Sequence, residues 1–279
     1  MATINLATKF SPLVDEKFYN ESKTSLVVNN DYDFIGSHSI KIYNVGTAEM
    51  NDYGRNTDGT SRYGTVKDLD ATTQEVSMER DRSFTFAIDK MDEDETLGAL
   101  NAGSALARQL REVVIPEVDR YTYAKMASNA GTTTTETITS STAYTSILAG
   151  TEYMDEKYVP AEGRVLTCTP AFYNLLKQDS KAVLETEIGQ SMRIRGVVSN
   201  MDGVLVQKVP SNILPAGINF ILSHRVATTQ AIKLAEYKIN TEPQGISGAL
   251  VEGRIYYTAF VRNNKKDAIY VSGTSSLSL

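Results

Sequence analysis

The sequence predicts an α+β fold, and three features carry that expectation. Two stretches read as strands: 39–45, with Ile40, Ile42, Tyr43 and Val45, and 74–88, with apolar alternation at its start and its end. A long stretch after the acidic run at 92–95 keeps helical spacing to about Ser128. The second half then interleaves short strand-like and helix-like pieces, so helix and sheet share one core.

Taken in order, residues 2–35 mix short apolar pieces (Phe10, Leu13, Val14, Phe18, Tyr19, Leu26, Val27, Val28) with polar residues in no sustained period. This predicts an extended arm with a short helix near 12–19. In the first strand, Ile40, Ile42, Tyr43 and Val45 suit a β ribbon. In the second, Val76 and Met78 alternate early, and Phe84, Phe86 and Ile88 alternate at the end. Between the strands lies 46–73, with Gly54, Gly59 and Gly64, many Asp and Thr residues, and almost no aliphatic ones. Ordering such a segment costs about 1–2 kcal/mol per residue in backbone entropy. Either it stays mobile, or a neighbouring subunit supplies the surface it lacks.

The helix after Asp92, Glu93, Asp94 and Glu95 starts with charges that favour the positive end of its dipole. Leu97, Leu100, Leu110, Val114, Val118 and Tyr121 form its apolar stripe, with Ala107 in the gap. Pro116 removes one backbone donor, which predicts a kink or break near Val113. The threonine-rich run at 131–135 reads as a linker and a domain boundary. A helix is expected at 142–157, a strand at 164–168 and a helix opened by Pro170 at 171–178. Further strands are expected at 204–209, 220–223, 231–234, 254–261 and 268–271.

Composition narrows the chemistry. Of 279 residues, 41% are hydrophobic and 22% charged, the balance of a folded protein. A net charge of -6 argues against a surface built on neutralised phosphates. No apolar run approaches the length of a membrane span, and the first residues lack signal-peptide features. The Asn20-Glu21-Ser22 match to a glycosylation pattern reads as chance. Cys168, the single cysteine, sits in Val165-Leu166-Thr167-Cys168 and reads as a small apolar side chain of a buried strand.

His38 and His224 read as hydrogen-bonded residues at strand ends, and no Cys or His spacing suits zinc. Consecutive acids at 92–95 point in different directions on a helix and make a cap, not a metal cluster. Gly59–Gly64 has Thr65 and Val66 where a phosphate loop needs lysine and a hydroxyl residue, and no Gly-x-Ser-x-Gly elbow occurs. No catalytic residue, metal or cofactor is therefore expected. Arg55, Arg62 and Lys67 are interleaved with Asp52, Asp58, Asp68 and Asp70. Two readings stand: a solvated loop face, or mixed-charge docking onto another subunit.

The order of these parts, and several stretches within them, resemble the major capsid proteins of tailed bacteriophages, the Hong Kong 97 fold. The stretches are Arg82-Ser83-Phe84-Thr85-Phe86-Ala87-Ile88-Asp89 running into Met91 to Thr96, then Val114-Ile115-Pro116-Glu117-Val118-Asp119. Near the end they are Gly253 to Val261, Asn264-Lys265-Lys266 and Ala268-Ile269-Tyr270-Val271. The resemblance implies an N-terminal arm (1–38), an extended β-hairpin loop (39–90), a peripheral domain with a long spine helix (91–139), an axial domain (140–223) and closing strands of the peripheral domain (224–279).

It further implies a non-enzymatic subunit that assembles with itself into hexamers and pentamers of an icosahedral virion shell in the host cytoplasm. That shell encloses double-stranded DNA without sequence-specific binding, with a portal and a separate scaffold protein as partners and no membrane. Arg55, Arg62, Lys67, Asp58, Asp68 and Asp70 become inter-subunit contacts, and Gly98, Gly103 and Pro116 become hinge candidates of the spine helix. A cross-link of the kind some members form would pair Lys67 with Asn263 or Asn264. The competing readings are an encapsulin-like compartment shell and an α/β enzyme with no recognisable motif.

Overall fold

A computed structural model describes residues 22–32, 34, 37–55, 61–64, 66–96, 101–179, 197–241 and 243–274, with the side chains of 197–200 excepted. The expected helix at 12–19, the glycosylation pattern at Asn20 and Glu21, Asp58, Gly59, Leu97, Gly98 and Leu100 lie outside the described residues. The α+β reading holds: three sheets are dressed by helices.

The first sheet is a two-stranded antiparallel ribbon of β1 (Ser39–Val45) and β2 (Ala71–Ser77). β3 (Arg80–Asp89) follows after two residues but pairs elsewhere, as an edge of a three-stranded sheet with β9 (Thr228–Asn240) and β10 (Gly248–Val261). The single strand expected at 74–88 is therefore two strands in two sheets. Val76 and Met78 pack with Phe34, Ala231 and Phe260, whereas Phe84, Phe86 and Ile88 pack with Ala102 and Val251. The apolar alternation keeps its phase across Met78 and Glu79, so the change of partner leaves no mark in the pattern.

The expected helix at 92–128 is also divided. α1 (Lys90–Glu95) is capped by Asp89, whose carboxylate accepts the Met91 N–H at 2.8 Å, so the acidic run is not the cap itself: Asp92 and Glu93 lie in the first turn, and Asp94 and Glu95 end the helix. α1 ends at Thr96, whose hydroxyl donates back to the Asp92 carbonyl at 2.6 Å. α2 (Ala102–Gln109) restarts from an Asn101 cap that accepts the Gly103 N–H at 2.9 Å. A π turn at Leu110–Val114 then leads into α3 (Ile115–Ser128), with the Ile115 N–H bonded to the Leu110 carbonyl. The break expected near Val113 is this wider turn. Pro116 cannot donate, and its ring would crowd the Glu112 carbonyl of a regular helix.

The third sheet has six strands in the order β4-β11-β8-β5-β7-β6: β4 (Thr132–Thr135), β5 (Arg164–Cys168), β6 (Val197–Met201), β7 (Val204–Lys208), β8 (Ile218–His224) and β11 (Ile269–Gly273). The threonine run is not a linker: it pairs in parallel with β11, from Thr132 opposite Tyr270 to Thr135 opposite Gly273. Four β-branched side chains suit a pleated edge. β11 also pairs with β8, which joins a strand on one side of position 223 to a strand on the other.

α4 (Ala143–Glu156) and α5 (Pro170–Gln178) match their expected positions within a residue. They cover one face of the six-stranded sheet through Ile147, Met154, Phe172 and Leu176, over Leu166, Phe220 and Leu222. Its other face meets Tyr123 and Met126 of α3. α3 also turns Val118 and Tyr121 onto Ile255 and Tyr257 of β10, so one helix cements both large sheets. Each such buried side chain is worth about 1.5–3 kcal/mol.

Candidate inter-subunit surface

The ribbon is fixed at one end. Ile42, Val76 and Met78 lie in an apolar cluster with Phe34, Ala231 and Phe260. Gln74 ties the same end down: its amide donates to the Val261 carbonyl and accepts the Asn263 N–H, each at 3.0 Å. His38 closes it through a 2.8 Å hydrogen bond with the Tyr256 hydroxyl.

Beyond Val45 the chain still makes local order, with the Gly46 N–H on the Asp70 carbonyl at 2.8 Å and the Gly54 N–H on the Arg62 carbonyl at 3.0 Å. Tyr53 and Tyr63 meet edge to face at 5.1 Å. Gly64 adopts φ 84°, where a β-carbon would also press on the Asn51 amide at 3.0 Å.

What this end lacks is cover. Tyr43, Val45, Met50, Tyr53, Tyr63, Val66 and Leu69 are all exposed, half of the large exposed hydrophobics among the described residues. Met50 is wholly bare, Val66 is 86% exposed and Tyr63 79%. Contiguous apolar exposure of this kind marks an interaction surface. Sequence reasoning named the charges and missed these residues, although one signal was available. Tyr43 and Val45 are out of phase with Ile40 and Ile42, and so sit on the opposite face of the strand.

Arg55, Arg62, Lys67, Asp68 and Asp70 lie on the same exposed stretch. None of them forms an ion pair with another described residue. Lys67, Asn263 and Asn264 are all exposed. Of the hinge candidates, Gly103 sits in the first turn of α2 and Pro116 in the first turn of α3.

Two polar knots hold the ribbon and arm to α3. Glu79, at the junction of β2 and β3, accepts from Tyr121 Oη at 2.9 Å and Lys125 Nζ at 2.6 Å. Burial acts to raise its carboxyl, but the Lys125 and Tyr121 bonds together hold it below the usual glutamate value. Tyr121 itself is pushed up to about 12, first by burial and then by Glu79. Asp119, almost fully buried, accepts three hydrogen bonds from the arm: Lys23 N at 2.8 Å, and Ser22 Oγ and Thr24 Oγ1 at 2.9 Å. Tyr123 Oη adds a bond to the Lys23 carbonyl at 2.8 Å.

The residues with reactive potential are held as structure. The Val226 N–H donates to His224 Nδ1, which leaves Nε2 to donate to the Glu162 carbonyl at 2.9 Å. Burial lowers the pKa of this imidazole. Burial pushes the Cys168 thiol up to about 12. Arg164, buried, bonds Asp155 at 2.6 Å and the Pro160 carbonyl at 2.9 Å, tying the end of α4 to β5.

A folded body with an uncovered apolar ribbon is the form of a structural protein that presents a surface for association. Comparison with known proteins gives that class its family. Residues 71–272 match the phage capsid protein family, and the chain belongs to it. No curated protein matches the sequence. Among solved structures, one from Mycobacterium phage Che8 shares 18% identity at a TM-score of 0.75, covering 98% of this chain and 99% of its own. A capsid structure of cyanophage P-SCSP1u shares 15% identity at 0.74, covering 97% and 93%. The mature capsid of bacteriophage PhiM1 shares 12% at 0.72, covering 97% and 92%. The fold is the Hong Kong 97 type, and the chain is a structural subunit of a phage capsid shell.

Proposed function

We propose that the ribbon at 39–77 is the extended loop of this subunit and that it docks on an adjacent copy to build an icosahedral shell of hexamers and pentamers. The observation that carries this reading is the run of seven uncovered apolar side chains from Tyr43 to Leu69. Arg55, Arg62, Lys67, Asp58, Asp68 and Asp70 set the register of that contact, since mixed charge governs orientation and specificity more than affinity. Contacts that run head to tail close into rings, and many modest ones add to a stable shell.

On this reading α1 to α3 and the three-stranded sheet form the peripheral domain. The six-stranded sheet, with β4 and β11 included, forms the axial one. The shell encloses double-stranded DNA held without sequence-specific contacts, as the net charge of -6 favours. A portal and a separate scaffold protein complete assembly in the host cytoplasm, and the subunit performs no catalysis. The segment flexes at Gly98, Gly103 or Pro116 when the shell expands; Gly103 and Pro116 lie in the first turns of α2 and α3, beside the places where the helix is already interrupted. Lys67 with Asn263 or Asn264 is the pair to examine for a covalent cross-link. Electron microscopy of the purified protein tests the reading. Closed shells with five-fold and six-fold capsomers are expected, and a monodisperse monomer at every concentration would overturn it.

A further inference from the structure

The end of α4 is closed by a Schellman turn: the Val159 N–H reaches the Met154 carbonyl and the Tyr158 N–H the Asp155 carbonyl, each at 3.0 Å. Such a turn needs one residue in the left-handed region, and glycine enters it without strain. Here the position belongs to Tyr158, at φ 57°. Asp202 is the other described non-glycine residue with positive φ, and it lies in the tight turn between β6 and β7, where aspartate before Gly203 is favoured. A bulky aromatic residue in that conformation is an outlier. The single chain gains little from it, because Tyr158 is 94% exposed.

The loop that follows is held in one conformation. Arg164, whose side chain is 2% exposed, donates to the Pro160 carbonyl at 2.9 Å, to the Val159 carbonyl and to Asp155. His224 on β8 donates from Nε2 to the Glu162 carbonyl at 2.9 Å. Two buried polar side chains thus fix one exposed loop. A strained, bare aromatic residue on a pre-ordered loop is the arrangement of a contact residue, since little order remains to be lost when a partner arrives. We infer that Tyr158 is a contact point between copies, separate from the ribbon, with its ring buried against the body of an adjacent copy of this chain. Contacts that run head to tail need two different surfaces on each subunit, and this loop stands on the six-stranded sheet, to which the ribbon does not belong. The exposed charges beside Tyr158, which are Asp155, Glu156 and Glu162 against Lys157, give its ring a polar rim and disfavour phosphate, so enclosed DNA is not the partner. The inference rests on the shell reading and adds a residue to it.

Tyr158→Gly separates the fold from the contact. Relief of the left-handed strain is expected to leave the unfolding midpoint at or above that of the wild type, while the protein concentration needed for assembly rises about tenfold, as loss of an aromatic side chain from an interface brings. Assembly at the wild-type concentration would overturn the inference. So would a midpoint below the wild type, since the ring would then serve the single chain. A second measurement does not depend on how that variant folds. Benzoylphenylalanine is placed at position 158, the chain is assembled with isotope-labelled wild type, and the shells are irradiated and the joined peptides read by mass spectrometry. Cross-links that join probe-bearing to labelled peptides are expected. Shells whose cross-links all stay within one chain would overturn the contact and leave the shell reading standing. A wild-type chain that forms no shells would overturn both.

Discussion

Thr24 of the arm and Asp119 of α3 stand 95 positions apart in sequence, yet their side chains meet at 2.9 Å inside the protein. With Ser22 and Lys23 they make the arm a fixed part of the subunit. Asp119→Ala strands three donors, two of them buried or half-buried, and is expected to lower stability by about 2–4 kcal/mol. Chemical denaturation checks the loss. Limited proteolysis at Lys23 should become faster in the same variant.

The same carboxylate makes a prediction about acid. Burial raises Asp119 above its ordinary 3.8, with the bonds from Lys23, Thr24 and Ser22 pulling the other way. The charged group facing it is the Lys23 ammonium; Tyr123, on its own helix, stays neutral because burial, and then Asp119, raise its phenol. A raised carboxyl means that the folded chain binds the proton more tightly than the unfolded one. Between 3.8 and the raised value, this group's contribution to stability therefore grows as pH falls. Unfolding curves of the wild type and Asp119→Asn across that range should differ by this slope, with the slope absent in the variant.

Glu79 has the opposite sign. Despite burial, Lys125 and Tyr121 keep it below 4.5, so its contribution is complete above that pH and is lost as pH falls through the depressed value. Nearly half of the Glu79 side chain is exposed. Its loss in Glu79→Gln is accordingly set at about 0.5–1 kcal/mol after screening by solvent. Paired denaturation at neutral pH and below 4 measures it: the difference between the two proteins should shrink in acid.

Gly253 is a packing requirement. A β-carbon there would fall 2.3 Å from Phe84 Cζ, and Phe84 stacks on both Phe86 and Tyr237. Gly253→Ala is expected to cost about 1–3 kcal/mol by overpacking. Combining it with Phe84→Leu should cost less than the sum of the two single changes, which a double-mutant cycle reads directly.

Tyr257 and Tyr121 meet edge to face at 5.4 Å, but their hydroxyls differ: that of Tyr121 is bonded to Glu79, that of Tyr257 has no partner among the described residues. Tyr121→Phe should therefore cost about 1 kcal/mol, while Tyr257→Phe should leave the single chain unchanged or about 1 kcal/mol more stable. Thermal unfolding of the two variants side by side distinguishes them.

Much of the fold was legible because its signals are local. Pro170 after Thr169 opens α5, alternation marks β1, and a wholly apolar-compatible run marks β5. What escaped depends on partners. The phase of Val76, Met78 and Phe84 is continuous although the strand changes sheets at Glu79. Thr132–Thr135 reads as loop by composition and becomes a strand only because β11, far along the chain, lies beside it. The polar solvent face of β9, with Glu236 and Lys238, hid most of that strand's length. In the candidate site, charges on the loop were visible in the sequence. That its tyrosines and aliphatics stay bare is a property of the folded chain, since exposure depends on what else arrives to cover them.

The most direct measurement of the central claim is electron microscopy of Tyr63→Asp/Val66→Asp beside the wild type, with unfolding midpoints recorded for both. The account predicts a double variant that folds with an unchanged midpoint and forms no closed shells. Shells of wild-type yield and geometry from that variant would contradict it.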